Sequence, residues 1–150
     1  MKRAVLSVVS LVVFGLLSAS AAAVNNGVNI ASQLSEKFLG HIVAEEYQNA
    51  YRMMDPITRR GISLAEFEKG VEVLNTTFGP LKKYTPERHE FIGYQLPGLD
   101  DPLPAIDFVY QGQMGRKGRA AAVAVTMTLI EKRAYVSYYD IQSTAHDMLR

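Results

Sequence analysis

Three groups of side chains in this chain have types and spacings that chemistry can use. The first lies in LGHIVAEEYQNAYRMMDP, residues 39–56, which holds His41, Glu45, Glu46, Tyr47 and Tyr51. A histidine and a glutamate four positions apart share a helical face, so His41 and Glu45 can fill two corners of a metal site. Two ligands fall short of the three that a catalytic zinc takes from protein. Glu46 points away from that face, and His89 and His146 lie far off in a strand and at the C-terminus. The expectation is therefore a solvated His–Glu pair, with no metal and no cofactor.

The second group is a pair of strand aspartates, Asp107 in AIDFV and Asp140 in YYDIQ. A carboxylate among apolar neighbours either faces water or is buried with a raised pKa, as a general base is. Perturbed carboxylates are a minority even within clefts. Catalysis by either aspartate stands as the alternative reading, and no catalytic residue is assigned. The third group is aromatic. Tyr47 and Tyr51 fall on the same helical side as Met54 and read first as anchors, ring buried and hydroxyl bonded at the edge. If a ligand pocket exists, Tyr47, Tyr51, Met54, Tyr138 and Tyr139 line it, with Leu96 to Leu103 over its mouth.

Composition narrows the class. The N-terminus has two basic residues, Lys2 and Arg3, then an apolar run from Ala4 to Leu17, then small residues from Ser18 to Ala23. That is the pattern of a secretory signal peptide, cut after Ala23 or Ala21. The apolar run is shorter than the roughly 20 residues a spanning helix needs, so no stable membrane anchor is expected after cleavage. Removing residues 1–23 leaves 150 − 23 = 127 residues and lowers Lys+Arg from 16 to 14 against 15 Asp+Glu. A net charge near −1 argues against nucleic acid as a partner. The basic cluster Arg116, Lys117 and Arg119 reads as a solvated hairpin turn. With no cysteine, disulfides, thiolate metal sites and thiol catalysis are all excluded.

The elements that position these groups follow from period and punctuation. VNNGV, residues 24–28, reads as a flexible leader, with Asn29 a candidate cap. Ile30, Leu34, Phe38, Ile42, Ala50, Tyr51 and Met54 then recur at helical spacing. Gly40 is the expected break between two helices, and Asp55-Pro56 ends the run. Ser63 and Glu66 form a capping box, followed by an apolar stripe of Leu64, Phe67, Val71, Leu74 and Phe78 that Gly79-Pro80 terminates. Beyond Pro80 the period becomes alternating. Strands are expected over 81–96, with an interruption near Pro86, and over 105–112, 119–130 and 134–142. On the third strand Val123, Val125, Met127 and Leu129 should meet the helices, and the small set Ala122, Ala124, Thr126 and Thr128 the outer face. Helices first and an antiparallel meander after gives one α+β domain over residues 29–143, with the helices on one face of a curved four-stranded sheet and a C-terminal tail over 144–150.

Several local residues carry a resemblance. Phe38-Leu39, Tyr47-x-x-Ala50-Tyr51, Ser63-x-x-Glu66-Phe67 and Phe78-Gly79-Pro80-Leu81 resemble the N-terminal half of small exported bacterial domains of the nuclear transport factor 2-like, or cystatin-like, class. The resemblance covers residues 30–84 and implies a cone-like fold with a pocket between helices and sheet. Some relatives of that class are isomerases or dehydratases and many only bind, and relatives often dimerise through the outer sheet face. The expected function is thus an exported, non-enzymatic module, periplasmic or secreted, binding a small apolar ligand or a protein partner, with a homodimer through the outer face. The alternatives are a pocket-type isomerase or dehydratase using a strand aspartate and a tyrosine, and a secreted protein directed at a host or competitor.

Overall fold

The first proline of the chain is Pro56, so nothing before it forbids a helix. The computed structural model describes residues 3–143, with side chains from residue 23 onward; the expected tail at 144–150, with His146, lies outside them. The chain divides into two compact units, residues 1–30 and 31–150. Helix α1 is Arg3–Val43 and carries residues of both. It includes residues 24–28 and Asn29, where the sequence suggests a leader and a cap. Asn and Gly inside a helix each cost about 1 kcal/mol or less relative to Ala, which is too little to stop a helix with good formers on both sides.

Gly40 does not break the helix either. A Cβ there would meet the Tyr84 hydroxyl at 3.8 Å, and that hydroxyl donates to the Glu36 carbonyl at 2.8 Å. That is an ordinary contact distance, so the strand tyrosine reaches the helix backbone without requiring a glycine here. The turn comes five residues later, at Glu45, whose φ of 60° is left-handed. Glu46 N–H donates to the His41 carbonyl at 2.8 Å and Glu45 N–H to the Ile42 carbonyl at 3.1 Å, the two bonds of a Schellman cap. Glycine normally fills the position Glu45 holds, because a Cβ there is strained. Glu45→Gly should therefore leave stability unchanged or raise it by up to about 1 kcal/mol. A urea midpoint that falls instead would show the glutamate side chain to be needed at this turn.

Short helix α2, Tyr47–Arg52, follows, then α3, Pro56–Gly61, and α4, Leu64–Phe78. Helix α3 is absent from the sequence reading, which takes Asp55-Pro56 only as a stop. The same dipeptide is a start signal: Asp55 caps α3 and proline occupies its first turn, where its missing N–H is not needed. The capping box of α4 forms as expected. At its end Gly79 has φ 84°, and a Cβ there would lie 2.9 Å from Gly115 Cα, so only glycine lets α4 leave beside the turn at Gly115.

The four strands are β1 (Leu81–Tyr94), β2 (Leu103–Met114), β3 (Arg119–Ile130) and β4 (Arg133–Ser143). They form one open antiparallel sheet in the order β1-β2-β3-β4. The expected interruption near Pro86 is a register shift between Pro86 and Arg88. A second shift pairs Met127 with Val136 but Thr126 with Tyr138, leaving Ser137 as an extra residue that bulges from β4. Four helices packed on a four-stranded antiparallel sheet make this an α+β protein.

The core lies between α1, α4 and one sheet face. Phe38 of α1 meets Tyr139 edge-on at 5.5 Å and Phe67 of α4 at 6.4 Å, and Ser35 shares a 2.5 Å hydrogen bond with the Tyr110 hydroxyl. Val123, Val125 and Met127 are buried as the alternation implies, whereas Leu129, at the strand end, is 36% exposed. The other set departs further from expectation. Ala122 and Ala124 are half-buried, but Thr126 and Thr128 are buried, because Thr126 donates to Asp107 and Thr128 bonds Ser137. The flat outer surface available to a second copy is correspondingly smaller than strand alternation suggests.

Candidate functional site

A fully buried carboxylate sets the position of α3. Asp55 Oδ1 accepts from the backbone N–H groups of Ile57 at 2.9 Å and Thr58 at 2.7 Å. Its Oδ2 accepts from the Thr58 hydroxyl at 2.5 Å and the Ser137 hydroxyl at 2.8 Å. Asp55 N–H also donates to the Val136 carbonyl, and Val136 N–H to the Met53 carbonyl. One residue thus caps a helix and ties it to β4. The bulge at Ser137 is what turns that hydroxyl towards the carboxylate. Four donors on one carboxylate offset its desolvation, with no basic partner among the described residues.

Held in this way, α3 and α4 stand off from β4 and border an open cavity of about 360 Å³. Its walls are largely apolar: Met54, Ile62, Phe67, Val71 and Leu74. Successive residues of β4, Ser137 to Asp140, form the opposite side. Neighbouring strand residues point to opposite faces, so four in a row line one cavity only where the strand's edge is the wall. β4 is an outer strand of the sheet, and apart from the bridge from Met54 to Val136 its outer edge pairs with no strand among the described residues and runs along this cavity. Residues with polar side chains that line it are Thr58, Glu66, Ser137, Tyr138, Tyr139 and Asp140. Glu66 is held below the usual carboxylate range by the Ser63 backbone N–H and then by the Ser63 hydroxyl.

Of the five residues expected to line a pocket, Met54, Tyr138 and Tyr139 do so. Tyr51 is turned away, its hydroxyl donating to the carbonyls of Ile62 at 2.7 Å and Arg59 at 3.2 Å. It ties α2 to the end of α3 as a structural anchor. Tyr47 lies in a separate groove beside Glu68, Lys69 and Asn75 and accepts from Asn75 Nδ2 at 3.4 Å. Helical spacing groups these tyrosines with Met54, but α2 ends at Arg52, so Met54 follows a different backbone path. Leu96 is buried, while Pro97 to Leu99 border a second groove with α3 rather than the cavity mouth. Burial raises the Tyr138 phenol above its ordinary value, and the Asp140 charge adds to this. Burial acts more strongly still on Tyr139, whose hydroxyl has no hydrogen-bond partner among the described residues.

The two aspartates separate. Asp107 accepts from Thr126 at 2.9 Å and does not line the cavity. Asp140 does, two residues from Tyr138, and accepts from Gln142 Nε2 at 3.3 Å. The metal pair also changes partners. His41 Nδ1 lies 2.6 Å from Glu46 Oε2, because the Schellman turn ends the helix at Val43 and breaks the spacing to Glu45. That contact, followed by one from Asn49, holds Glu46 below the ordinary carboxylate range. Among the described residues no three His, Asp or Glu side chains stand close enough to hold a metal ion, and no helix is long and apolar enough to cross a membrane.

The sequence reading missed the wall made by α3 and α4, Thr58, Ile62, Glu66, Phe67, Gly70, Val71 and Leu74. Gly70 carried a signal: a glycine in mid-helix is unfavourable and calls for a reason. Comparison with protein-family models, curated proteins and solved structures gives no match for this chain. What fold and site define is a class: an α+β domain with an apolar cavity along the edge of its sheet.

Proposed function

We propose that this chain is an exported, non-enzymatic binding domain of the nuclear transport factor 2-like kind, whose edge cavity holds a small apolar ligand. Gly70 carries the reading. It sits inside α4 and lines the cavity, has no positive φ, and a Cβ built there meets nothing within 4 Å. Neither backbone conformation nor packing requires glycine, and alanine would favour the helix by about 1 kcal/mol. What the missing side chain provides is volume in the cavity, whose size suits a small ligand.

Gly70→Leu tests this directly. The substitution should keep or raise the thermal midpoint, through helix propensity, and abolish binding of n-octanol measured by calorimetry. Binding undiminished in a folded Gly70→Leu protein would remove the cavity from consideration. Export makes a separate expectation: intact mass of protein from the exported fraction should show residues 1–23 removed, and an N-terminus retaining Lys2 would refute cleavage.

A second reading, a pocket-type isomerase or dehydratase, draws on one observation: Asp140 and Tyr138 line the same cavity. In that reading Asp140 is the base and the Tyr138 hydroxyl, kept protonated by its raised pKa, donates to the substrate. Asp140→Asn then abolishes turnover, whereas a binding domain keeps its octanol affinity.

A further inference from the structure

We propose that removal of residues 1–23 unwinds the chain from Val24 to Val28 and opens Asn26-Gly27 to spontaneous deamidation, giving the exported protein a carboxylate at position 26. The inference rests on the signal-peptide reading above and adds a modification site to it. Asn26-Gly27 is the one Asn-Gly pair in the sequence. In such a pair the glycine nitrogen can attack the asparagine side chain, because no Cβ bars the backbone from the conformations that ring closure needs.

In the full-length chain the helix prevents this. Helix α1 runs unbroken from Arg3 to Val43, so the Gly27 N–H is committed to the Ala23 carbonyl and its backbone angles are fixed. The alanine-rich stretch SASAAA, residues 18–23, supplies the preceding turns. A cut after Ala23 removes both the acceptor and those helix formers. A cut after Ala21 leaves two alanines, too few to nucleate a turn. What then starts the chain is VNNGV, which contains no strong helix former. The first four N–H groups of a helix have no partner within it, and in a chain that starts at Val24 these are the N–H groups of residues 24–27. Tertiary packing does not restore the turn. Asn25, Asn26 and Gly27 are exposed, as are Val24 and Ile30, and among the described residues the first buried one is Ala31. A Cβ on Gly27 would meet nothing within 4 Å. Asn29 is left to cap the shortened helix.

The reaction needs no reactant but water. The Gly27 nitrogen bonds to Asn26 Cγ, the Cγ–N bond of the side chain breaks, and the glycine proton ends on the departing ammonia. Water then opens the cyclic imide at either carbonyl, which gives aspartate or isoaspartate. Both products add one negative charge. Isoaspartate also routes the backbone through the side chain, which a helical turn does not accommodate.

Peptide mapping of protein from the exported fraction, incubated for weeks in mildly alkaline buffer, tests this. Intact mass at the start reports the N-terminus. Ammonia should be lost at Asn26, with two products of equal mass that separate on chromatography. Asn29, Asn49 and Asn75, each followed by a residue with a side chain, should stay amides. Gly27→Ala should slow the loss at least several-fold. The uncleaved full-length chain should keep Asn26 and protect the amides of residues 24–28 from hydrogen exchange, where the mature chain exchanges fast. A cleaved protein that keeps Asn26, a rate no faster than in the full-length chain, or an undiminished rate in Gly27→Ala each overturns the proposal and leaves cleavage standing. An N-terminus retaining Lys2 overturns the cleavage reading and this inference with it.

Discussion

Phe67→Ala should lower the free energy of unfolding by about 3–5 kcal/mol, the range for truncating a buried aromatic. Phe67 is 7% exposed and meets Phe38 at 6.4 Å and Tyr51 at 5.9 Å. It joins α1, α2 and α4 at one point, so no single element can shift to fill the space. Part of its ring faces the existing cavity, and the truncation merges that cavity with the core. The variant should therefore lose stability and also bind octanol less selectively by chain length. Urea unfolding measures the first effect. A loss below about 1 kcal/mol, typical of a surface position, would mean that α4 does not dock through this stripe.

Asp55→Ala should destabilise by about 3–4 kcal/mol, more than a helix cap alone explains. Losing an N-cap costs about 0.5–2 kcal/mol. The same change leaves the hydroxyls of Thr58 and Ser137 without their acceptor in a buried place, where an unsatisfied polar group costs about 1–3 kcal/mol. Asp55→Asn, which keeps an acceptor for the two α3 N–H groups, should cost less. Octanol affinity should fall in Asp55→Ala beyond what stability explains, because α3 is one wall of the cavity. Equal, small losses for alanine and asparagine would show that the carboxylate does not tie α3 to β4.

Local signals in the sequence were sufficient for α4 and for the sheet. Ser63 and Glu66 satisfy each other's neighbourhood within three residues, and Gly79-Pro80 stops the helix by backbone geometry alone. β3 spans 119–130, the range read from alternation and the flanking turns. Each of these depends on contacts between residues close in the chain. The burial of Val123, Val125 and Met127 follows from the same two-residue period once any helix covers that face.

The site was legible only in part, and its errors share a cause. The sequence places Tyr138 and Tyr139 at the pocket as residues of the last strand and Met54 by its helical spacing from Tyr47 and Tyr51, and all three line the cavity. Tyr47 and Tyr51 were grouped with Met54 on the premise of one continuous helix, which a left-handed Glu45 and the capped restart at Asp55 interrupt. The bulge at Ser137 arises from register between β3 and β4, and the Asp55 carboxylate is satisfied partly by a side chain 82 positions away. Periodicity in one stretch carries no information about such partners. Gly70 is the intermediate case: its type marks it as costly in a helix, but that the freed volume belongs to a cavity depends on where α4 stands against the edge of β4. That distance is set by long-range packing, which local sequence does not encode.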